Sequence, residues 1–175
     1  MAISYISIPT RLGELLLAAT ERGICFIQVV GNEQDALGHL GKEYPDAELS
    51  PAAGDNKIRL LEWGAAINRY VDGNSNLPEL PLDTQGTEFQ RKVWEYLRRI
   101  PAGRPQSYQE VAKALGMPKA VRAVGNACAR NPIAIVVPCH RVVRSDGGLS
   151  GYRWGIKIKQ ALIEIEEKYT QHSLV

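Results

Sequence analysis

Residues 107–132, SYQEVAKALGMPKAVRAVGNACARNP, decide how this chain is read. Ser107 stands three residues before Glu110, the spacing of a capping box, and Val111, Ala112 and Leu115 follow at the spacing of one buried helix face. Gly116 and Pro118 stop that helix. The alanine-rich run from Lys119 to Arg130 predicts a second helix with Val121, Val124 and Cys128 inward, and Asn131-Pro132 ends it. Helix, tight turn, helix is the plan of a helix-turn-helix.

Downstream, the apolar run IAIVVP (133–138) is too short for a helix and predicts a buried strand or extended segment that delivers Cys139. SDGGLSGYRWG (145–155) reads as a Gly-rich loop, and a last helix from Ile156 to Lys168 buries Ile158, Leu162 and Ile165. Upstream, Thr87 N-caps a helix with Phe89, Val93, Trp94 and Leu97 on its apolar stripe, ended by Pro101-Ala102-Gly103. DGNSNLPELPLDTQG (72–86) is rich in residues that break regular structure and reads as a linker. Before it, YISIP (5–9), ELLLAAT (14–20) and GICFIQVV (23–30) read as strands of an antiparallel meander. Helices are expected over Asp35 to Tyr44 and Asn56 to Val71, the second with Ile58, Leu61, Ala65 and Tyr70 on one face. The expected fold is an α/β N-terminal subdomain, a small antiparallel sheet with helices, over residues 1–80. A mostly α, winged-helix-like C-terminal domain with the helix-turn-helix follows over residues 87–170.

With 175 residues, 45% hydrophobic and 23% charged, the chain has the composition of a globular protein, which disfavours disorder and collagen-like repetition. No run approaches the roughly 20 apolar residues that span a bilayer, and MAISYISIPT lacks the basic and apolar regions of a signal peptide. A soluble, unexported, cytoplasmic protein without a membrane partner is expected. Three cysteines without a C-x-x-C pair or zinc-spaced histidines exclude a disulfide framework and a structural zinc site. The net charge of +2 hides an uneven distribution. Residues 1–87 hold 6 Lys and Arg against 12 Asp and Glu, whereas residues 88–159 hold 14 against 4. Residues 160–175 hold 1 against 3, so the middle of the chain is a basic module suited to a polyanion.

Cys139 is the candidate nucleophile, because Pro138, His140 and Arg141 surround it and cationic neighbours favour thiolate over thiol. The competing reading is a small buried hydrophobe, and that reading is assigned to Cys25 and Cys128. Of the three histidines, His39 and His172 fall on segments expected to be solvated, which leaves His140 as the base. Neighbours on an extended chain point opposite ways, so a water is expected between imidazole and sulfur. Glu164, Glu166 and Glu167 are all available to orient His140.

At these residues the chain resembles the O6-alkylguanine-DNA alkyltransferases, also called methylated-DNA–protein-cysteine methyltransferases. The motifs are residues 107–132, IVVPCHRVV (135–143) and LSGYRWG (149–155), in the family's order and over about half the chain. The resemblance implies irreversible transfer of an alkyl group from guanine O6, and from thymine O4, in double-stranded DNA to the protein's own cysteine. It implies no cofactor, no protein partner, a monomer, and a bacterial-type protein at the nucleoid.

Carried over, Cys139 is the acceptor, His140 its base through a water, and Glu166 the residue that orients His140. Asn131 ties the helix-turn-helix to the nucleophile's segment, and Tyr108 contacts the extruded base and protonates the leaving guanine. The resemblance places the helix-turn-helix in the minor groove, where the small residues Ala120, Ala123 and Gly125 suit a groove about 6 Å wide. Arg122 is the finger that fills the gap left by the flipped nucleotide, with Ser107 and Gln109 at the same surface. Val142, Tyr152 and Arg153 form the base pocket, and Arg153 followed by Trp154 implies a rim that restricts large alkyl groups. Relatives that regulate transcription carry an N-terminal zinc domain with several cysteines; this chain has no such cluster, so repair without phosphotriester activity is expected.

Three other classes compete. A lesion-binding protein that does not repair would carry another residue at Cys139. A base-reading regulator presents polar side chains to the major groove, whereas this second helix offers mainly Ala, Val and Gly around Arg122. A Cys-His hydrolase needs an oxyanion hole and turns over repeatedly.

Overall fold

β1 (Ala2–Thr10), β2 (Gly13–Ala19) and β3 (Ile24–Val29) form the expected antiparallel meander, with Ile6 opposite Leu17 and Leu17 opposite Ile27. The structure is a computed structural model that describes residues 1–29, 31–149 and 151–173. Val30 of the expected third strand and Ser150 of the expected Gly-rich loop lie outside the described residues. Every residue of β3 is buried, which explains its continuous apolar run. A fourth strand, β4 (Glu48–Pro51), pairs in parallel with β1 and completes the order β3-β2-β1-β4. The sequence reading missed it because ELSP has neither alternation nor β-branched residues. Its proline is tolerated at a sheet edge.

α1 (Glu33–Glu43) is capped by Asn32, whose side chain accepts from the Asp35 N–H at 2.8 Å. Its Ala36 and Leu40 pack with Ile3, Leu16 and Phe26. α2 (Gly54–Val71) corrects the expected helix face. Ile58 is 58% and Leu61 46% exposed; of the expected face Tyr70 is buried, together with Leu60, Gly64, Ile67 and Val71. The reason is a close approach: a Cβ at Gly64 would stand 1.9 Å from Ile8 Cδ1, so the missing side chain fixes which face meets the sheet. The expected linker is also partly ordered. The Ile24 N–H donates to the Pro81 carbonyl at 2.9 Å, the Asp83 N–H returns to the Ile24 carbonyl at 2.8 Å, and Thr20 Oγ1 donates to Asp83 Oδ2 at 2.6 Å.

The chain divides into two units, residues 1–84 with 132–134, and residues 85–131 with those from 135 onward. Residues 132–134 join the first because the Ile27 N–H donates to the Pro132 carbonyl at 3.0 Å and the Ala134 N–H to the Ile27 carbonyl at 3.1 Å. The segment 133–138, expected as a buried strand or extended segment, is buried throughout but makes one bridge, at Ile133, and then turns.

The second unit holds α3 (Glu88–Leu97), β5 (Gln106–Ser107), α4 (Tyr108–Ala114), α5 (Val121–Ala129), β6 (Val142–Val143) and α6 (Ile156–Ser173). Thr87 and Gln90 close a full capping box on α3. Trp94 Nε1 donates to the Ala127 carbonyl at 2.9 Å and docks α3 on α5. β5 and β6 pair in parallel, so the start of the helix-turn-helix is hydrogen-bonded to the strand that follows Cys139. With a small mixed sheet first and a helical domain second, the fold is of the expected class.

Candidate active site

The helix-turn-helix is built as its sequence dictates. Ser107 caps α4 by accepting from the Glu110 N–H at 3.0 Å, and the turn places Ala120 at the start of α5. Val111, Ala112, Val124 and Ala127 face inward, which leaves Gln109, Arg122 and Ala123 exposed and Ala120 and Gly125 half-buried. The Tyr108 ring lies 4.0 Å from where a Cβ on Gly125 would be, so a small residue there lets the ring lie against α5.

Cys139 opens a single 3-10 turn, Cys139–Arg141, at the end of a fully buried stretch from Asn131 to His140. Ile135 adopts φ 71°, a left-handed conformation costly for a β-branched residue, and the surrounding packing holds it there. Asn131 is completely buried; its Nδ2 donates to the Val137 carbonyl at 3.0 Å and to Cys139 Sγ at 3.2 Å. Cys139 Sγ points at the Cys128 carbonyl, 3.5 Å away.

The expectation that cationic neighbours hold Cys139 as thiolate is corrected. Burial pushes its thiol well above the ordinary range and contact with Cys128 adds to this, while the Asn131 hydrogen bond and the Lys159 charge oppose it. The Arg141 charge is already occupied. Its Nε lies 3.0 Å from both Glu166 oxygens and its Nη2 2.6 Å from Oε2, all in the interior. Cys139 therefore rests as a thiol, and a base would have to deprotonate it before the sulfur could act as a nucleophile.

His140 is completely buried, and its Nε2 lies 3.1 Å from Glu166 Oε2. In the neutral ring that bond places the proton on Nε2 and leaves the lone pair on Nδ1. Burial alone would raise the Glu166 carboxyl, but the His140 charge and hydrogen bond, then those of Arg141, hold it at about 2. Among the three candidate glutamates it is Glu166 that reaches His140. Its bidentate partner Arg141 was missed as a structural residue; the signal was Arg141 beside His140 with one buried carboxylate to share.

Val142 is completely buried in β6. Tyr152 has its ring edge-on to Trp154 at 5.5 Å, and burial first and the Cys139 charge second raise its phenol, so it stays protonated. Arg153 Nη1 donates to the Asn131 carbonyl at 3.1 Å and lies over Trp154, which ties the Gly-rich loop to the end of α5. Lys159 was also missed. It is 1% exposed and its charge faces both Cys128 and Cys139. Its position three before Leu162 and seven before Glu166 puts it on the buried stripe of α6. Among the described residues no group of three His, Cys, Asp or Glu could hold a metal ion.

Residues 88–168 match the family model described as 6-O-methylguanine DNA methyltransferase, DNA binding domain. A methylated-DNA–protein-cysteine methyltransferase of Methanosarcina barkeri is 38% identical over 163 residues, 93% of this chain and 96% of that protein. The chain belongs to the methylated-DNA–protein-cysteine methyltransferase family. The Mycobacterium tuberculosis member solved in complex with DNA superposes with a TM-score of 0.76 at 34% identity, covering 97% of this chain and 94% of that one. The Escherichia coli bifunctional transcriptional activator/DNA repair enzyme Ada is 44% identical over 166 residues, which is 95% of this chain but 46% of Ada. The chain thus spans less than half the length of the Ada proteins it matches and nearly all of the Methanosarcina barkeri methyltransferase.

Proposed function

We propose that this chain is a DNA repair protein that moves an alkyl group from O6 of guanine in duplex DNA onto Cys139, once per molecule. The observation that carries this reading is the buried line Glu166–His140 beside a cysteine that is a thiol at rest, on a basic helix-turn-helix module. Family membership and the DNA complex of the mycobacterial relative support it.

The chemistry follows from the geometry. Glu166 holds Nε2–H, so Nδ1 is the proton acceptor; through a water it takes the Sγ proton, and the imidazolium formed is stabilised by the carboxylate. Sγ then attacks the alkyl carbon, the C–O6 bond breaks, and guanine leaves as its electrons return to the ring. Tyr108 supplies the proton that neutralises it. A thioether has no leaving group that water can displace under mild conditions, so the reaction ends there. The Asn131 amide and Lys159 ammonium stabilise the sulfur while it carries charge.

O6 faces the interior of the duplex, so the nucleotide must be extruded. Small residues at Ala120, Ala123 and Gly125 let α5 enter the minor groove, and Arg122 fills the vacated stack with the exposed Gln109 on the same surface, whereas Ser107, expected there, is buried with its Oγ engaged in capping α4. Val142, Tyr152 and Arg153 wall the pocket that receives the base, and thymine O4 presents the same alkyl geometry. The test is transfer of radiolabelled methyl from a duplex with one O6-methylguanine. Label that saturates at one per chain supports the reading; repeated turnover refutes it.

A further inference from the structure

Cys128 sits in the last turn of α5 with 8% of its surface exposed, and Cys139 is 7% exposed. They are 11 residues apart in sequence, yet Cys139 Sγ is 3.5 Å from the Cys128 carbonyl and the two thiols meet side chain to side chain. Lys159, inserted from α6, presents its charge to both sulfurs, and Asn131 Nδ2 lies 3.2 Å from Cys139 Sγ. Two thiols facing one buried ammonium, with an amide donor on one of them, form a dithiol site, because a thiolate on either sulfur finds a cation in place and one on Cys139 finds a donor as well. Cys25, completely buried in β3, is pushed up to about 12 by burial and then by the Asp83 charge, and the groups that oppose this are hydrogen bonds, Tyr44 among them, rather than a cation.

We propose that Cys128 and Cys139 close a reversible disulfide that withholds the acceptor sulfur when low-molecular-weight disulfides accumulate. One protein thiolate attacks the small disulfide, forms a mixed disulfide and expels one thiolate. The second protein thiol loses its proton, attacks the protein sulfur of the mixed disulfide and expels the other. Two protein thiols are oxidised, one small disulfide is reduced to two thiols, and an external thiol reverses both steps. That the bridge silences alkyl transfer rests on the function proposed above; that the bridge forms does not.

The test treats the reduced full chain with oxidised glutathione, blocks remaining thiols with iodoacetamide and reads intact mass and a non-reducing peptide map. The expected product has lost two hydrogens, links the Cys128 and Cys139 peptides, leaves Cys25 free and reverts with dithiothreitol. Methyl acceptance falls by about tenfold or more and returns on reduction. In Cys128→Ser and Cys128→Ala, each compared with its own reduced form, the two-hydrogen loss disappears and glutathione stays on Cys139. A stable glutathione adduct on the unaltered chain, or bridging that survives both substitutions, would overturn the proposal. A bridge in a chain whose reduced form accepts no methyl would sustain it and refute the transfer function.

Discussion

Glu166 Oε2 lies 3.1 Å from His140 Nε2, and the same oxygen takes Arg141 Nη2 at 2.6 Å, with all three side chains in the interior. One carboxylate therefore fixes the tautomer of a neutral His140 and neutralises the arginine that would otherwise be a bare buried cation. Removing one partner of such a group costs about 3–5 kcal/mol, because the other charge stays buried. Glu166→Gln is expected to lower stability by that order and to slow transfer beyond what the stability loss explains. Chemical denaturation and single-turnover transfer on the same preparation separate the two.

The Glu166 carboxyl is held at about 2 against an ordinary 4.5. A group whose folded pKa is depressed stabilises the fold fully above its ordinary pKa, and that stability is lost as pH falls from about 4.5 toward about 2. Stability measured across pH 6 to 2 should fall over that window, and Glu166→Gln should flatten the fall. An identical slope in both proteins contradicts the assignment.

Asn131 donates to both Val137 and Cys139 from a completely buried position. Asn131→Ala strips a donor from a buried carbonyl and from the sulfur, a loss of about 1–3 kcal/mol. Transfer from the free base O6-methylguanine should slow as much as transfer from duplex, since the defect lies at the sulfur.

Arg122 is exposed, so Arg122→Ala should leave stability within about 0.5 kcal/mol. If it replaces the extruded nucleotide, transfer from duplex slows while transfer from the free base does not. Equal slowing on both substrates rejects that role.

Gly64→Ala would drive a Cβ to 1.9 Å from Ile8 Cδ1 and is expected to cost about 1–3 kcal/mol through overpacking. Ile8→Val deletes that Cδ1, so the double variant should recover part of the loss in a mutant cycle.

The helix-turn-helix was legible because caps, turns and short-range periodicity are local. Ser107, Gly116 and Pro118 mark boundaries that need no tertiary context. The face of α2 was not legible: Ile58 and Leu61 are apolar and helically spaced, and what decides is Gly64, whose meaning appears once Ile8 stands opposite. The state of Cys139 was misjudged for a similar reason. Sequence proximity placed Arg141 beside it, but a carboxylate 25 residues away claims that charge. Lys159, an ordinary surface residue by type, acts on the sulfur because α6 turns it inward. Long-range pairing and burial, rather than composition, set the electrostatics of this site.

The most direct test of the central claim is peptide mass spectrometry after mixing the chain with duplex DNA carrying one O6-methylguanine, with unmodified duplex and Cys139→Ala as controls. The account predicts that the Cys139 peptide gains one CH2 in stoichiometric amount, that the Cys25 and Cys128 peptides do not, and that neither control gains it. Tight binding to the lesion with an unchanged Cys139 peptide would contradict it and make the chain a lesion-binding protein.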